Sequence, residues 1–269
     1  MKIVFFANNW LGREVLRWIR EQGQAIEALV VHPPSRQKYL SEIIELSGCP
    51  EERVFDGSTL RQPEVRERLI SLKADLGISV LFDYLIRPKI LNSFRLGVIN
   101  LHPAYLPFNR GNYPNVWSIV DGSPAGVTLH YMDQTLDTGD IIAQHKTEVL
   151  SWDTGETLYR RLEQDALSLF KLHFESIVEE RAVRRPQDRS QGTTHQRKDV
   201  DAVDRIDLDA LVRAGDLIDR IRARTFAGYR GAFFEDRGRR VWVSIKLEPD
   251  ERLPSTTSTD PVPGGKRKI

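Results

Sequence analysis

Residues 96–140 read LGVINLHPAYLPFNRGNYPNVWSIVDGSPAGVTLHYMDQTLDTGD, and their pattern fixes both the kind of sheet and the place where chemistry can sit. The run opens on an apolar stretch, residues 96–102, that ends in a polar pair, Asn100 and His102. Side chains alternate faces along a strand, so these two project from the same side. Pro103 lacks the N–H that a ladder needs, so the strand ends there and delivers both side chains at its tip. Open α/β sheets bind ligands at the carboxyl ends of their strands. The DTGD tetrapeptide that starts at Asp137 follows one supersecondary unit later, on a turn flanked by alternating stretches at 126–132 and 141–146. An amide, an imidazole and a carboxylate supply a hydrogen-bond donor, an acid/base and an orienting anion. That set suits acyl transfer.

Working outward, residues 2–7 (KIVFFA) have the apolar continuity of a buried strand, and 8–12 (NNWLG) turn the chain into a helix over about 12–22. Val15, Leu16, Trp18 and Ile19 recur there at helical spacing. Residues 26–31 and 76–81 are further strands, with helices expected over 37–47 and 61–72. This β-α-β-α alternation predicts an α/β fold with a doubly wound, mostly parallel sheet. Asp153 or Thr154 offers an N-cap for a long amphipathic helix reaching residue 180.

Residues 181–199 are polar and weakly periodic, and they read as a linker on the surface between a first domain over 1–180 and a small α+β module over 200–250. In that module a helix is expected over 208–224, with strands over 228–234 and 240–247 around a turn at 235–238. The tail, 251–269, is rich in Pro, Ser, Thr and Gly and has the composition of a disordered segment.

The formal net charge of +1 over 269 residues gives no global field for nucleic acid or a membrane surface. A single cysteine, Cys49, excludes a disulfide framework within the chain and fits a cytoplasmic location. The first residues read as a strand rather than a signal peptide, and no stretch approaches membrane-spanning length. No set of His, Cys or Asp has metal-ligand spacing, so no metal is expected.

The ordered set NLHP…LP..RG..P, then GVTLH, then LDTGD resembles the folate-dependent formyltransferases, with agreement from residue 1 to roughly 247. The resemblance implies a Rossmann-like domain that uses N10-formyltetrahydrofolate to formylate an amine. Carried over residue by residue, it implies that Asn100, His102 and Asp137 are catalytic. It places the pterin against residues 81–86, with Leu81, Phe82, Leu85 and Ile86, and against the loop carrying Asp137, Thr138 and Asp140.

Each residue also has a bland reading. A lone strand-end histidine is usually structural, and Asp140 could simply accept N–H groups of its own turn. Gly139 fits a turn that brings backbone close to a ligand. His130 divides evenly between support of the site and plain packing, while His32, His145, His173 and His195 read as structural. The NNWLG turn lacks G-x-G-x-x-G, so no dinucleotide fingerprint is present, yet helix N-terminal amides there can hold a phosphate.

The acceptor is expected against Asn8, Asn9 and Trp10 and against Tyr105, Asn109, Arg110 and Tyr113, with Arg110 as an anion clamp. The segment YLPFNRGNYPNVWS resembles the branch that modifies nucleotide-linked amino sugars for surface polysaccharide. Residues 179–240 hold 15 Arg/Lys against 12 Asp/Glu, a weak bias for a binder of many phosphates. A homodimer is compatible with this reading. The competing readings are formylation of methionyl-tRNA or of an amino acid, and a folate- or nucleotide-binding regulator without catalysis.

Overall fold

The structure is a computed structural model, and it describes residues 1–188 and 190–250. The expected disorder over 251–269 lies outside the described residues. The first strand, β1 (Ile3–Ala7), is buried along its whole length, as are β2 (Ile26–Val31, apart from Glu27) and β4 (Leu76–Val80). Strands covered on both faces read as continuous apolar runs. Between them lie α1 (Asn9–Glu21), α2 (Leu40–Ser47), the short β3 (Val54–Asp56) and α3 (Pro63–Ser71). The chain continues through α4 (Pro88–Leu91), β5 (Val98–His102), β6 (Arg110–Gly111), α5 (Pro114–Val120), β7 (Ala125–Tyr131) and β8 (Ile141–Thr147).

Seven strands form one sheet in the order β3-β2-β1-β4-β5-β7-β8. It is parallel through β5, while β7 and β8 run antiparallel. Alternation divides the core: Ile3, Phe5 and Leu29 face one side with Leu16 and Phe170, and Val4, Phe6 and Val30 face the other with Phe55 and Ile90. Helix α1 begins three residues earlier than its apolar spacing suggests, because Asn8 is extended and its side chain accepts the Asn9 N–H. Helix α6 (Gly155–Val178) starts behind Thr154, whose side chain and that of Thr157 satisfy each other's backbone N–H groups.

The stretch over 181–199 is more tightly held than a surface linker. Arg185 exchanges backbone hydrogen bonds with Ile141, and β9 (Thr194–His195) pairs in parallel with β6. Beyond it come α7 (Asp201–Asp204), α8 (Ala214–Ala223), β10 (Phe233–Asp236) and β11 (Arg239–Trp242). The helix expected over 208–224 starts six residues later, as α8, and the short α7 lies before the expected span. The first hairpin strand is also displaced, because Gly228 sits at φ +78° and a side chain at Gly231 would run into the carbonyl of Arg224. Arg237 and Gly238 both have positive φ, the condition for a tight two-residue hairpin turn. The module docks through Arg222, whose Nη1 donates to the carbonyls of Leu150 (3.1 Å) and Asp153 (2.8 Å).

Candidate active site

Asn100 and His102 lie at the carboxyl end of β5, between parallel β4 and antiparallel β7. Opposite Asn100 in the ladder is His130, and the Asn100 Nδ2 is 3.2 Å from the His130 Nε2. His130 Nδ1 lies 2.8 Å from the carbonyl oxygen of Tyr131, so the ring carries its proton there. Burial pushes the His130 pKa down to about 4, so the ring is neutral at pH 7 and Nε2 accepts from the Asn100 amide. This network fixes which end of the carboxamide is the donor.

Asp137 reaches the pair from the loop between β7 and β8. Its Oδ2 accepts the Gly111 N–H at 2.9 Å and stands 3.5 Å from His102 Nε2, while its Oδ1 is 3.9 Å from His130 Nε2. His102 Nε2 is buried and makes no hydrogen bond. A buried polar atom of this kind calls for a partner, and catalytic hydrogen bonds are often long before ligand binds. Two other segments hold Asp137 in place. Gly111 is fixed by the β6–β9 ladder, and the Gln187 side-chain amide donates to the carbonyls of Asp137 (2.9 Å) and Gly139 (2.7 Å). A side chain at Gly139 would strike the Tyr131 carbonyl, so the close approach that needs this glycine is to the protein's own backbone rather than to a ligand.

The three residues open into a cleft of about 620 Å³ whose walls include Leu81, Phe82, Ile86 and Tyr113. Leu81 (φ +52°), Tyr113 (φ +58°) and Asp137 (φ +53°) all adopt the left-handed conformation and all border the cleft. Such strain costs roughly 1–3 kcal/mol per residue and clusters at functional sites. A smaller hollow of about 450 Å³ lies between Phe226, Arg230 and Trp242 in the C-terminal module. Its lining holds no histidine, whereas the larger cleft brings an imidazole and a carboxylate together.

Of the expected ligand contacts, Leu81, Phe82, Leu85 and Ile86 line the cleft together with Asp137 and Tyr113. Thr138 and Asp140 do not, and the Thr138 hydroxyl is 2.8 Å from Asp133 Oδ1. Asn109, expected against the acceptor, is fully buried off the cleft, and its Nδ2 donates to Ser118 (3.0 Å) and Ser123 (2.7 Å). Arg110, expected as the anion clamp, is 7% exposed and off the cleft, and its Nη2 lies 3.5 Å from Gln187 Oε1. Tyr105 is packed over Gly126, away from the cleft.

Asn8 spends its amide on Asn9, Lys38 and His32, and Trp10 packs against the core. Asn9 reaches the cleft indirectly, through the Tyr159 hydroxyl at 3.3 Å. Gln187 and Gly111 escaped the sequence reading. A glutamine in a polar stretch carries no periodic signal, and the contact crosses 50 residues of chain.

An amide donor, an imidazole and a carboxylate meeting at the carboxyl end of a strand in a mostly parallel α/β sheet define a group-transfer enzyme of the acyl-transfer kind. Residues 1–171 match the formyl transferase family and residues 199–249 match the N-formyltransferase dimerization C-terminal domain, and the chain belongs to the formyl transferase family. It is 34% identical to the dTDP-4-amino-4,6-dideoxyglucose formyltransferase of Mycobacterium tuberculosis over 214 residues, 79% of this chain and 86% of that one. A 4-N formyltransferase from Francisella tularensis has a similar structure, with a TM-score of 0.77 and 28% identity over 93% of this chain and 98% of that one. The formyltransferase PseJ from Anoxybacillus kamchatkensis, solved in complex with UDP-4,6-dideoxy-4-formamido-L-AltNAc and tetrahydrofolate, gives a TM-score of 0.55 and 30% identity. That match covers 75% of this chain and 89% of the other.

Proposed function

We propose that this enzyme transfers the formyl group of N10-formyltetrahydrofolate to the amine of a nucleotide-linked amino-deoxy sugar, giving an N-formylated sugar for surface polysaccharide. The observation that carries the reading is the meeting of Asn100, His102 and Asp137 in one cleft, in a chain 34% identical to a dTDP-amino-sugar formyltransferase. The cleft fits the folate on physical grounds: Leu81, Phe82 and Ile86 offer apolar cover for a flat ring system, and buried His102 Nε2 awaits a hydrogen-bond partner. No helix among the described residues is long and apolar enough to cross a membrane, and we place the enzyme in the cytoplasm. Among those residues no group of three or more His, Cys, Asp or Glu is arranged to hold a metal ion.

The bound folate supplies an activated formyl carbon. Asn100, oriented by His130, donates to the formyl oxygen as it gains negative charge on attack by the neutral amine. Losing one such donor costs about a hundredfold or more in rate. His102 takes the proton that the amine sheds and passes it toward the departing nitrogen. Asp137, held by Gly111 and Gln187, keeps the imidazole in register for both transfers.

The reading assigns catalysis to residues 1–180, treats 181–199 as a strap that holds the Asp137 loop, and gives the module over 200–250 to a homodimer, supported by its match to a dimerization domain. The match of residues 199–249 to the N-formyltransferase dimerization C-terminal domain also supports a sugar acceptor over methionyl-tRNA. The test is tetrahydrofolate release with nucleotide-linked amino sugars and, separately, with methionyl-tRNA. Release with an amino sugar and none with tRNA is expected. Formylation of the tRNA alone would overturn the acceptor assignment, and no release with any of these amines would favour a binding role.

A further inference from the structure

The mouth of the cleft carries a charged cluster that none of these steps uses. Asp83 Oδ2 lies 3.3 Å from Arg36 Nη2 and 3.3 Å from Arg197 Nη2. The three residues come from separate stretches of chain, following β2, β4 and β9, and all three line the cleft that holds Asn100 and His102. Arg36 also rests over the ring of Tyr84, 5.4 Å from its centroid, with Nη1 3.4 Å from the hydroxyl.

Stability does not explain the arrangement. The side chains of Arg36 and Arg197 are 44% and 61% exposed, and ion pairs this open to water add little to stability. Both guanidiniums share a single carboxylate oxygen, so one positive charge is left over. A guanidinium has five N–H donors, and the side-chain hydrogen bonds formed use two on Arg36 and one on Arg197. Asp133, the other carboxylate on this wall apart from catalytic Asp137 and Asp83 itself, is engaged by the hydroxyls of Thr135 and Thr138.

We propose that Arg36 and Arg197 form an oxyanion subsite at the cleft mouth, with Asp83 spacing the two guanidiniums until ligand arrives. The shared chemistry is an oxyanion able to bridge two planar donors. It is supplied either by the carboxylates of the folate's glutamyl tail or by the diphosphate of the nucleotide. The subsite flanks residues 82–86, the stretch given to the folate, and takes over the anion-binding role that Arg110 is too buried to fill. The proposal rests on the formyl-transfer reading.

Calorimetric titration tests it without requiring turnover. The intact enzyme and its Arg36→Ala, Arg197→Ala, doubly substituted and Asp83→Asn variants are titrated with tetrahydrofolate, with tetrahydropteroate (which has no glutamate), and with dTDP and UDP. Each single arginine variant should weaken one ligand class about threefold and the double variant about tenfold at low salt, with the loss shrinking in high salt. Asp83→Asn should tighten the same class. Weaker tetrahydrofolate with unchanged tetrahydropteroate identifies the glutamyl tail, and weaker dTDP or UDP identifies the diphosphate. Binding of every probe within twofold of wild type by the double variant overturns the subsite and leaves formyl transfer standing. A wild-type enzyme that binds none of the probes overturns both.

Discussion

Replacing Gln187 by alanine tests whether the strap over 181–199 sets catalytic geometry or merely covers the surface. The substitution removes the two hydrogen bonds to the carbonyls of Asp137 and Gly139 and the 3.5 Å contact from Arg110 Nη2, and it touches neither His102 nor Asn100. Two neutral hydrogen bonds contribute about 1 kcal/mol each, so the loop that carries Asp137 loses about 2 kcal/mol of its hold. That amount shifts a local equilibrium by a factor of about 30. Displacement of a catalytic group by about 1 Å can by itself cost about a hundredfold in rate.

The kcat/KM of Gln187→Ala should therefore fall between about 10-fold and 100-fold. The melting temperature should move by only a few degrees, since the loop lies at the rim rather than in the core. Gln187→Glu should be worse than alanine, because a carboxylate would face two carbonyl oxygens where an amide N–H now donates. A kcat/KM within twofold of wild type for the alanine variant, or better activity in the glutamate variant, would refute the positioning argument.

Four further outcomes follow from the same geometry. His102→Ala should fold with a near-native melting temperature and lose at least about a hundredfold in turnover, and near-wild-type formylation by it would remove the acid/base assignment. Asp137→Asn should retain tetrahydrofolate binding while its rate collapses, and a larger loss in Asp140→Asn would reassign the aspartate. Asn109→Ala should destabilise the fold by about 1–3 kcal/mol, read from the urea midpoint, because it strands Ser118 and Ser123 in a buried site; an unchanged midpoint contradicts the structural role.

His130 gives the pH dependence. Its folded pKa of about 4 lies below the ordinary 6.5, so the unfolded chain binds a proton that the folded chain refuses. The sign is a loss of stability as pH falls from about 6.5 toward 4, on the order of 2 kcal/mol at pH 5. Urea unfolding at pH 7 and pH 5 should show a larger drop for wild type than for His130→Gln, and equal drops would assign the acid sensitivity elsewhere.

What the sequence alone determined is local in origin. Alternation put Asn100 and His102 on one face, Pro103 ended their strand, and the cap at Thr154 and the apolar run of β1 depend on neighbours a few residues away. Hence the class of fold, and the placing of Asn100 and His102 together at a strand's end, were legible in the sequence. The tertiary structure decided what depends on distant partners. The Gly111 N–H meets Asp137 across 26 residues, and Gln187 meets it across 50. The orientation of the Asn100 carboxamide follows from its ladder position opposite His130, a consequence of β7 running antiparallel to β5. Asn109 and Arg110 were expected against the acceptor from their place shortly after the strand that carries His102, yet the β6–β9 pairing turns this stretch inward, where their polar groups are met by serines, Thr193 and Gln187. Sequence periodicity records which face of an element is buried but says nothing of which distant segment covers it. For that reason the pairing of Asn100 with His102 on one face was visible in the sequence, while the groups that hold Asp137 beside them were not.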